Sequence, residues 1–411
     1  MENHGKIRRR FTQDVFSSPW VFLFIIILLA LFIRFIVIFM YGGDSYGGDA
    51  AIYKWRADNL LEGKVPYRDF YDVKPPMLTL TIASWFLITS NSSLLSIKIF
   101  FSLFDIICIV TGYLFLRERT QNTLSPLIFT LMIAFNPIIF FDSAYYGRHY
   151  IIPATLLIIS LSALKKGQEI KSAITMGISI MYTYLSVLFL LAFILHIKGK
   201  KPLAKYIIIT IITVLIILFP YLYLAGGKYI DDTVYFFSEK IERGFSIWVV
   251  VNEVSNDIPL KNTLPFIIQA IFLTIITTFF MVSSKFSLRE RKTFSFELFI
   301  LTFYLTFLLL NKHILLQYFV ILTVFLPLFI SLLKTGKKSL IIHMITFYVA
   351  SWAIFLVYRM EYEYFKKLPQ FTLGVALIYL AALIPLIFLS FSIERISSDP
   401  LNKAGSSEIA K

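Results

Sequence analysis

Apolar residues come in long blocks along this chain rather than in alternation or on one helical face. A continuous block from about Trp20 to Tyr41 is followed by others near 94 to 116, 123 to 141, 150 to 164, 204 to 224, 264 to 283, 295 to 310, 314 to 333, 339 to 358 and 371 to 392. A bilayer span needs roughly 20 apolar residues, so each block predicts a transmembrane helix. A further block between 172 and 197 is interrupted at Tyr182, Thr183 and Tyr184. Lys165, Lys166 and Lys171 precede it and Lys198, Lys200, Lys201 and Lys205 follow it. Basic clusters belong on the cytoplasmic side, so this block predicts a hairpin of two helices with both ends inside. Met77 to Ser90 is apolar but short for a span and predicts an interfacial or partly inserted helix. The sum is an all-α polytopic membrane protein of about 12 transmembrane helices, read as a single integral membrane domain over residues 1–411.

Charge then fixes the orientation. The segments assigned to the cytoplasm hold 23 Lys and Arg against 9 acids, and those assigned to the outside hold 14 against 15. The formal charge of +14 is therefore essentially all cytoplasmic. That is the positive-inside pattern, and it removes the case for nucleic acid as a partner. Both termini are expected inside, with the first helix retained, in the plasma membrane of a prokaryote. Composition agrees: 58% of residues are hydrophobic, 16% are charged, and 42 are phenylalanine. The single cysteine, Cys108, excludes intrachain disulfides and multi-cysteine metal sites. No GxxxxGK[ST] run is present and no cytoplasmic segment has room for a nucleotide-binding domain.

The chemistry is therefore expected outside, in the segment 42–93, the segment 225–263 and the turn at Asn311, Lys312 and His313. In the first of these, Asp49 follows two glycines and precedes a stretch with Ile52, Trp55 and Leu60 on one side and Tyr53 and Arg56 on another. This predicts a short amphipathic helix at the membrane surface, ended by Gly63. Asp49 reads either as the helix N-cap or as a catalytic carboxylate aimed at the interface. Asp44, Asp58, Asp69, Asp72, Lys54, Arg56 and Arg68, taken singly, read as a solvated loop of mixed sign. Lys74 differs, because Pro75 and Pro76 hold its backbone extended beside a membrane-entering segment. A fixed ammonium at headgroup depth suits a lipid phosphate. Within the spans, Arg34 and Asp105 are costly in hydrocarbon and are expected to pair, to line a wet cavity, or both.

The order Asp49, Tyr53, Ala57, Leu61, Gly63, Pro66, Tyr67, Asp69, Lys74, Pro75, Pro76 resembles the first outer loop of the GT-C glycosyltransferases that use polyprenyl-phosphate sugars. That group includes protein O-mannosyltransferase-like enzymes, lipid A aminoarabinose transferases and GPI mannosyltransferases. Tyr146, Gly147, Arg148 and His149 resemble its second outer motif, and Asn311, Lys312, His313, Gln317 and Tyr318 its late motif. The resemblance implies a GT-C-like bundle in which 42–93 is the catalytic loop and Asp49 the general base. It implies that Lys74, Arg148, His149, Lys312 and His313 face the donor phosphate, and that Asp44, Tyr53, Tyr67, Asp69, Gln317 and Tyr318 contact substrate. Many relatives carry an acid in the second motif; here Arg148 and His149 stand there, with Asp142 a few residues earlier. The segment 225–263, which begins with Gly226 and Gly227 and mixes aromatics with charges, reads either as a lid over a lipid headgroup, with Arg243 a phosphate contact, or as an ordinary amphipathic surface loop.

The function so implied is inverting transfer of a sugar, a mannose-like hexose, from a polyprenyl-phosphate donor to a hydroxyl on a glycan, lipid or protein, with no organic cofactor and with a divalent cation left open. Two other classes compete. A transporter or flippase of a lipid-linked saccharide needs ionisable groups along the midplane, whereas most acids here lie in outer loops. An inactive subunit of a glycan-assembly complex would tolerate Asp49→Asn.

Overall fold

The computed structural model describes residues 18–41, 43, 48–120, 123–238, 243–244, 248, 264–290, 296–311, 313–332, 345, 348–356 and 359. Helices dominate: α1 (Pro19–Tyr41), α2 (Gly48–Leu61), α3 (Met77–Thr89), α4 (Leu94–Arg119), α5 (Leu124–Ala134), α6 (Pro137–Ala144) and α7 (Ile151–Lys165). They continue as α8 (Glu169–Ile180), α9 (Val187–His196), α10 (Lys200–Ala225), α11 (Lys228–Ser238), α12 (Leu264–Glu290), α13 (Phe296–Leu310) and α14 (Phe319–Leu332). Two strands of two residues, β1 (Arg243–Gly244) and β2 (His313–Ile314), pair in parallel.

The chain is an integral membrane protein. Among the described residues α1, α4 and α10 are long and apolar enough to cross a bilayer, and α5 with α6 forms a fourth candidate bent by 48°. Shorter apolar helices include Met77–Thr89, Ile151–Lys165, Tyr184–His196 and Leu316–Leu332. The expected spans near 339 to 358 and 371 to 392 lie partly or wholly outside the described residues. Phe24 and Phe39 on α1 and Ile216 and Phe219 on α10 are more than half exposed, an apolar surface that suits lipid. By contrast α14 is buried on every side and forms the centre, touching α5, α6, α7 and α13.

Each break in the helices has a local cause. At the α5–α6 bend, the Asn136 side chain accepts the Ile138 amide at 3.0 Å and Pro137 opens α6. The interruption expected at Tyr182–Tyr184 is a 3₁₀ turn over Tyr184–Ser186, begun by the Thr183 hydroxyl accepting from Leu185. Arg34 and Asp105 do pair: Nε donates to Oδ2 at 2.6 Å, both side chains are buried, and Ser143 donates to the same oxygen. Arg34 Nη1 also donates to the carbonyls of Ala30 and Ala134, each at 3.0 Å. One charged pair so ties α1, α4 and α6 together, consistent with how charges inside a bilayer are satisfied.

Candidate active site

The first long loop folds back onto the end of the bundle through one face of α2. Asp49, Tyr53 and Arg56 are spaced four and three apart, so they share that face. Tyr53 and Arg56 are buried, while Ile52 and Trp55 point outward about half exposed, placing the apolar side where a membrane surface would lie. Asp49 is not the N-cap: it stands inside the helix, in its first turn, where the helix dipole favours an anion.

From there three separate stretches meet. Arg148 Nε donates to Asp49 Oδ2 at 2.6 Å; the Asp49 side chain keeps 29% of its surface exposed, against 8% for Arg148. The guanidinium lies over the Tyr146 ring, 4.3 Å from its centroid. Tyr53 Oη lies 3.1 Å from His149 Nδ1, with the rings edge to face. His149 is fully buried, and burial, with the Lys74 ammonium next, holds its pKa well below the ordinary histidine value. The ring is neutral at physiological pH, so it offers a phosphate no charge.

Lys74 is fixed at both ends. Asp72 accepts its backbone amide at 3.0 Å, Tyr67 Oη donates to its carbonyl at 2.5 Å, and its Nζ donates to Tyr150 Oη at 3.3 Å. Asp72, in turn, is fully buried, pairs with Arg56 Nη1 at 3.1 Å and accepts from Thr79 at 3.1 Å. The solvated-loop reading of Arg56 and Asp72 is therefore corrected: they are an internal strut between α2 and the Lys74 corner. For Asp58, paired with Lys54 one turn away on the helix surface, that reading stands. Tyr67 is buried against Tyr221 and Tyr229. Asp69 is exposed, accepts from the Val65 amide and pairs with Arg68, whose hydrogen bond and that of Val65 lower its carboxyl to about 2. Both are placed to shape the loop.

The late motif arrives at the same point. Gln317 Nε2 donates to Tyr150 Oη at 3.4 Å, and the Tyr318 ring stands 5.7 Å from that of Tyr150. Tyr150 joins all three stretches, yet no sequence signal singled it out; its position directly after Arg148 and His149 was the available hint. The backbone of Arg243 is in register with that of His313, and Trp248 donates to the Leu310 carbonyl at 2.8 Å, so the second long segment is attached to the late motif. Asp44 and Lys312 lie outside the described residues.

Two measurable consequences follow from this packing. Gly147 has φ +61°, and a Cβ there would stand 2.6 Å from Ala50 Cβ, so only glycine lets the second motif reach α2. Gly147→Ala is expected to cost about 1–3 kcal/mol in a detergent unfolding titration, from strain and overpacking together. An unchanged midpoint would refute the close approach. Because His149 is depressed, below pH about 6.5 the unfolded chain binds more protons at this site than the folded one. Stability is then lost as pH falls, by up to about 1.4 kcal/mol per pH unit. His149→Gln should flatten that acid slope, and an equally steep slope in the variant would clear His149 of responsibility.

No family model matches the sequence, and no curated protein matches it. Among solved structures the chain is similar to the archaeal oligosaccharyltransferase AglB from Archaeoglobus fulgidus, solved with an inhibitory peptide and a dolichol-phosphate, at 15% identity and a TM-score of 0.41. The match covers 93% of this chain and 56% of that one, so this chain spans little more than half the length of that protein.

Proposed function

We propose that the protein is an extracytoplasmic GT-C-type glycosyltransferase that moves a sugar from a polyprenyl-phosphate donor to a hydroxyl acceptor with inversion. The observation that carries this reading is the meeting of Asp49, Lys74, Arg148 and the late motif around Tyr150, through contacts that span 76, 99 and 167 residues of chain. These are the residues in which the sequence resembles that family. A partly exposed carboxylate and a rigidly held ammonium are what the reaction needs. Asp49 takes the acceptor hydroxyl's proton as its oxygen bonds to the anomeric carbon; the carbon–oxygen bond to the phosphate breaks, and the polyprenyl phosphate leaves. A phosphate is already a good leaving group, so no protonating acid of the glycosidase kind is required. Lys74 lies beside the departing phosphate and offsets its charge. His149 acts through Tyr53, which it braces on α2, and not as a cation. Gln317 and Tyr318 line the substrate side, and the segment 225–263, much of which lies outside the described residues, serves as the lid.

A flippase is less well supported. The intramembrane charges Arg34 and Asp105 pair with each other, and Ser143 donates to the same Asp105 oxygen, which favours a structural role for them over a transport path. The test is transfer of labelled sugar from polyprenyl-phosphate mannose and related donors in membranes with and without the protein. Label moving into a product only when the protein is present supports the enzyme. Labelled donor crossing the bilayer intact, with no product, would replace it with the transport reading.

A further inference from the structure

Two carboxylates from distant parts of the chain face each other across one side chain. Asp49 stands at the start of α2 and Asp142 in the last turn of α6. Arg148 reaches both, with Nε 2.6 Å from Asp49 Oδ2 and Nη1 3.5 Å from Asp142 Oδ1. The main chain sets this up, because the Arg148 amide donates to the Asp142 carbonyl at 2.8 Å and so closes the loop between them. Asp142 is only 2% exposed, and among the described residues its Oδ1 meets the Arg148 guanidinium but accepts no hydrogen bond of good geometry. Two carboxylates that share one guanidinium, one of them buried, need the cation between them, since the buried one would otherwise be destabilised by burial and by the other's charge.

Proteins meet that need in two ways. Hard divalent ions take carboxylate oxygens and water around a small open position. A guanidinium fills the same gap with a fixed planar charge and excludes the ion by both charge and volume. The residues present here do not fit a metal: among the described residues no three His, Cys, Asp or Glu lie together to hold one, and Arg148 stands where the ion would sit.

We propose that Arg148 is a built-in substitute for a divalent cation: it couples Asp142 to Asp49, positions the Asp49 carboxylate, and makes the wild-type site independent of metal. Removing the guanidinium then opens a two-carboxylate cation site. Asp142 is a positioning residue, acting through Arg148. The role of Asp49 in turnover rests on the glycosyltransferase reading, but the ion site does not, and the experiment separates the two.

Full-length protein in detergent is titrated with Mn²⁺, and the free-ion signal is followed by electron paramagnetic resonance. Wild type and Arg148→Lys are expected to bind none at this site. Arg148→Ala should take up about one ion per chain, with water completing its coordination, and Arg148→Ala with Asp142→Asn should lose it. If Arg148→Ala fails to fold, Arg148→Gln, nearer in volume and uncharged, takes its place. A folded Arg148→Ala or Arg148→Gln that binds no more Mn²⁺ than wild type overturns the proposal. So does wild-type protein that binds Mn²⁺ in a manner lost on Asp142→Asn. In the activity arm, sugar transfer by the wild type should be unchanged by EDTA, and transfer that EDTA abolishes and Mn²⁺ restores overturns it as well. Failure of every donor to support transfer counts against the glycosyltransferase reading alone, because ion binding is read without turnover.

Discussion

Asp49→Asn is expected to lower sugar transfer by about 10²- to 10⁴-fold, the range over which a positioned general base contributes. The substitution is nearly isosteric, and the amide oxygen still accepts from Arg148, so the fold should survive. What disappears is the capacity to hold a proton. Arg148 engages one carboxylate oxygen at 2.6 Å, which leaves the second for the acceptor hydroxyl, and the 29% exposure of the side chain gives that hydroxyl a way in. The loss should therefore fall on kcat, with donor KM little changed, because the base makes its interaction in the transition state. Initial rates with labelled donor at matched protein levels read this out. Turnover within a few-fold of wild type would remove Asp49 as the base and move the search to the other carboxylates of the loop.

Lys74→Met should cost about 10²- to 10³-fold in kcat/KM for the donor, comparable to removing one preorganised donor aimed at developing charge. The stem of the side chain is kept and only the ammonium is lost. Its effect is large because so little of it is free to move: Asp72, Tyr67 and the Pro75–Pro76 corner fix the backbone, and Tyr150 fixes the tip. For the same reason Lys74→Arg should rescue poorly, since a longer planar group cannot occupy a point-charge position without displacing Tyr150. Rates as a function of donor concentration check both variants. Full rescue by arginine would show that charge alone matters and that the corner is not rigid.

Much of the architecture was legible because hydrocarbon imposes a simple rule on sequence. The blocks at 94 to 116 and 204 to 224 became α4 and α10, and the interruption at Tyr182 to Tyr184 became a 3₁₀ turn. Arg34 and Asp105 were readable as a pair because a charge inside a span has few ways to be satisfied. The site was legible only as motifs. Arg56 and Asp72 sit among charges of both signs in a loop, where local composition suggests solvent. Their burial depends on α2 lying down on the bundle, and that depends on the close approach of Gly147 to Ala50. Tyr150 was invisible for a different reason. A tyrosine at the start of an apolar helix is ordinary, and only the arrival of Lys74 and Gln317 from elsewhere makes it a junction. The cap reading of Asp49 missed by two positions, a difference that helix-start signals do not resolve.

The bend between α5 and α6 reaches further than its own geometry. In an unbroken helix the Ala134 carbonyl would accept the amide of residue 138. Instead Asn136 takes that amide with its side chain, and the Ala134 oxygen is released to face Arg34. An amide exchange in one helix so becomes solvation for a cation in another, at a depth where water cannot supply it. Asn136 acts on Arg34 through the Ala134 carbonyl it frees, and so belongs to the shell that lets a positive charge reside inside hydrocarbon.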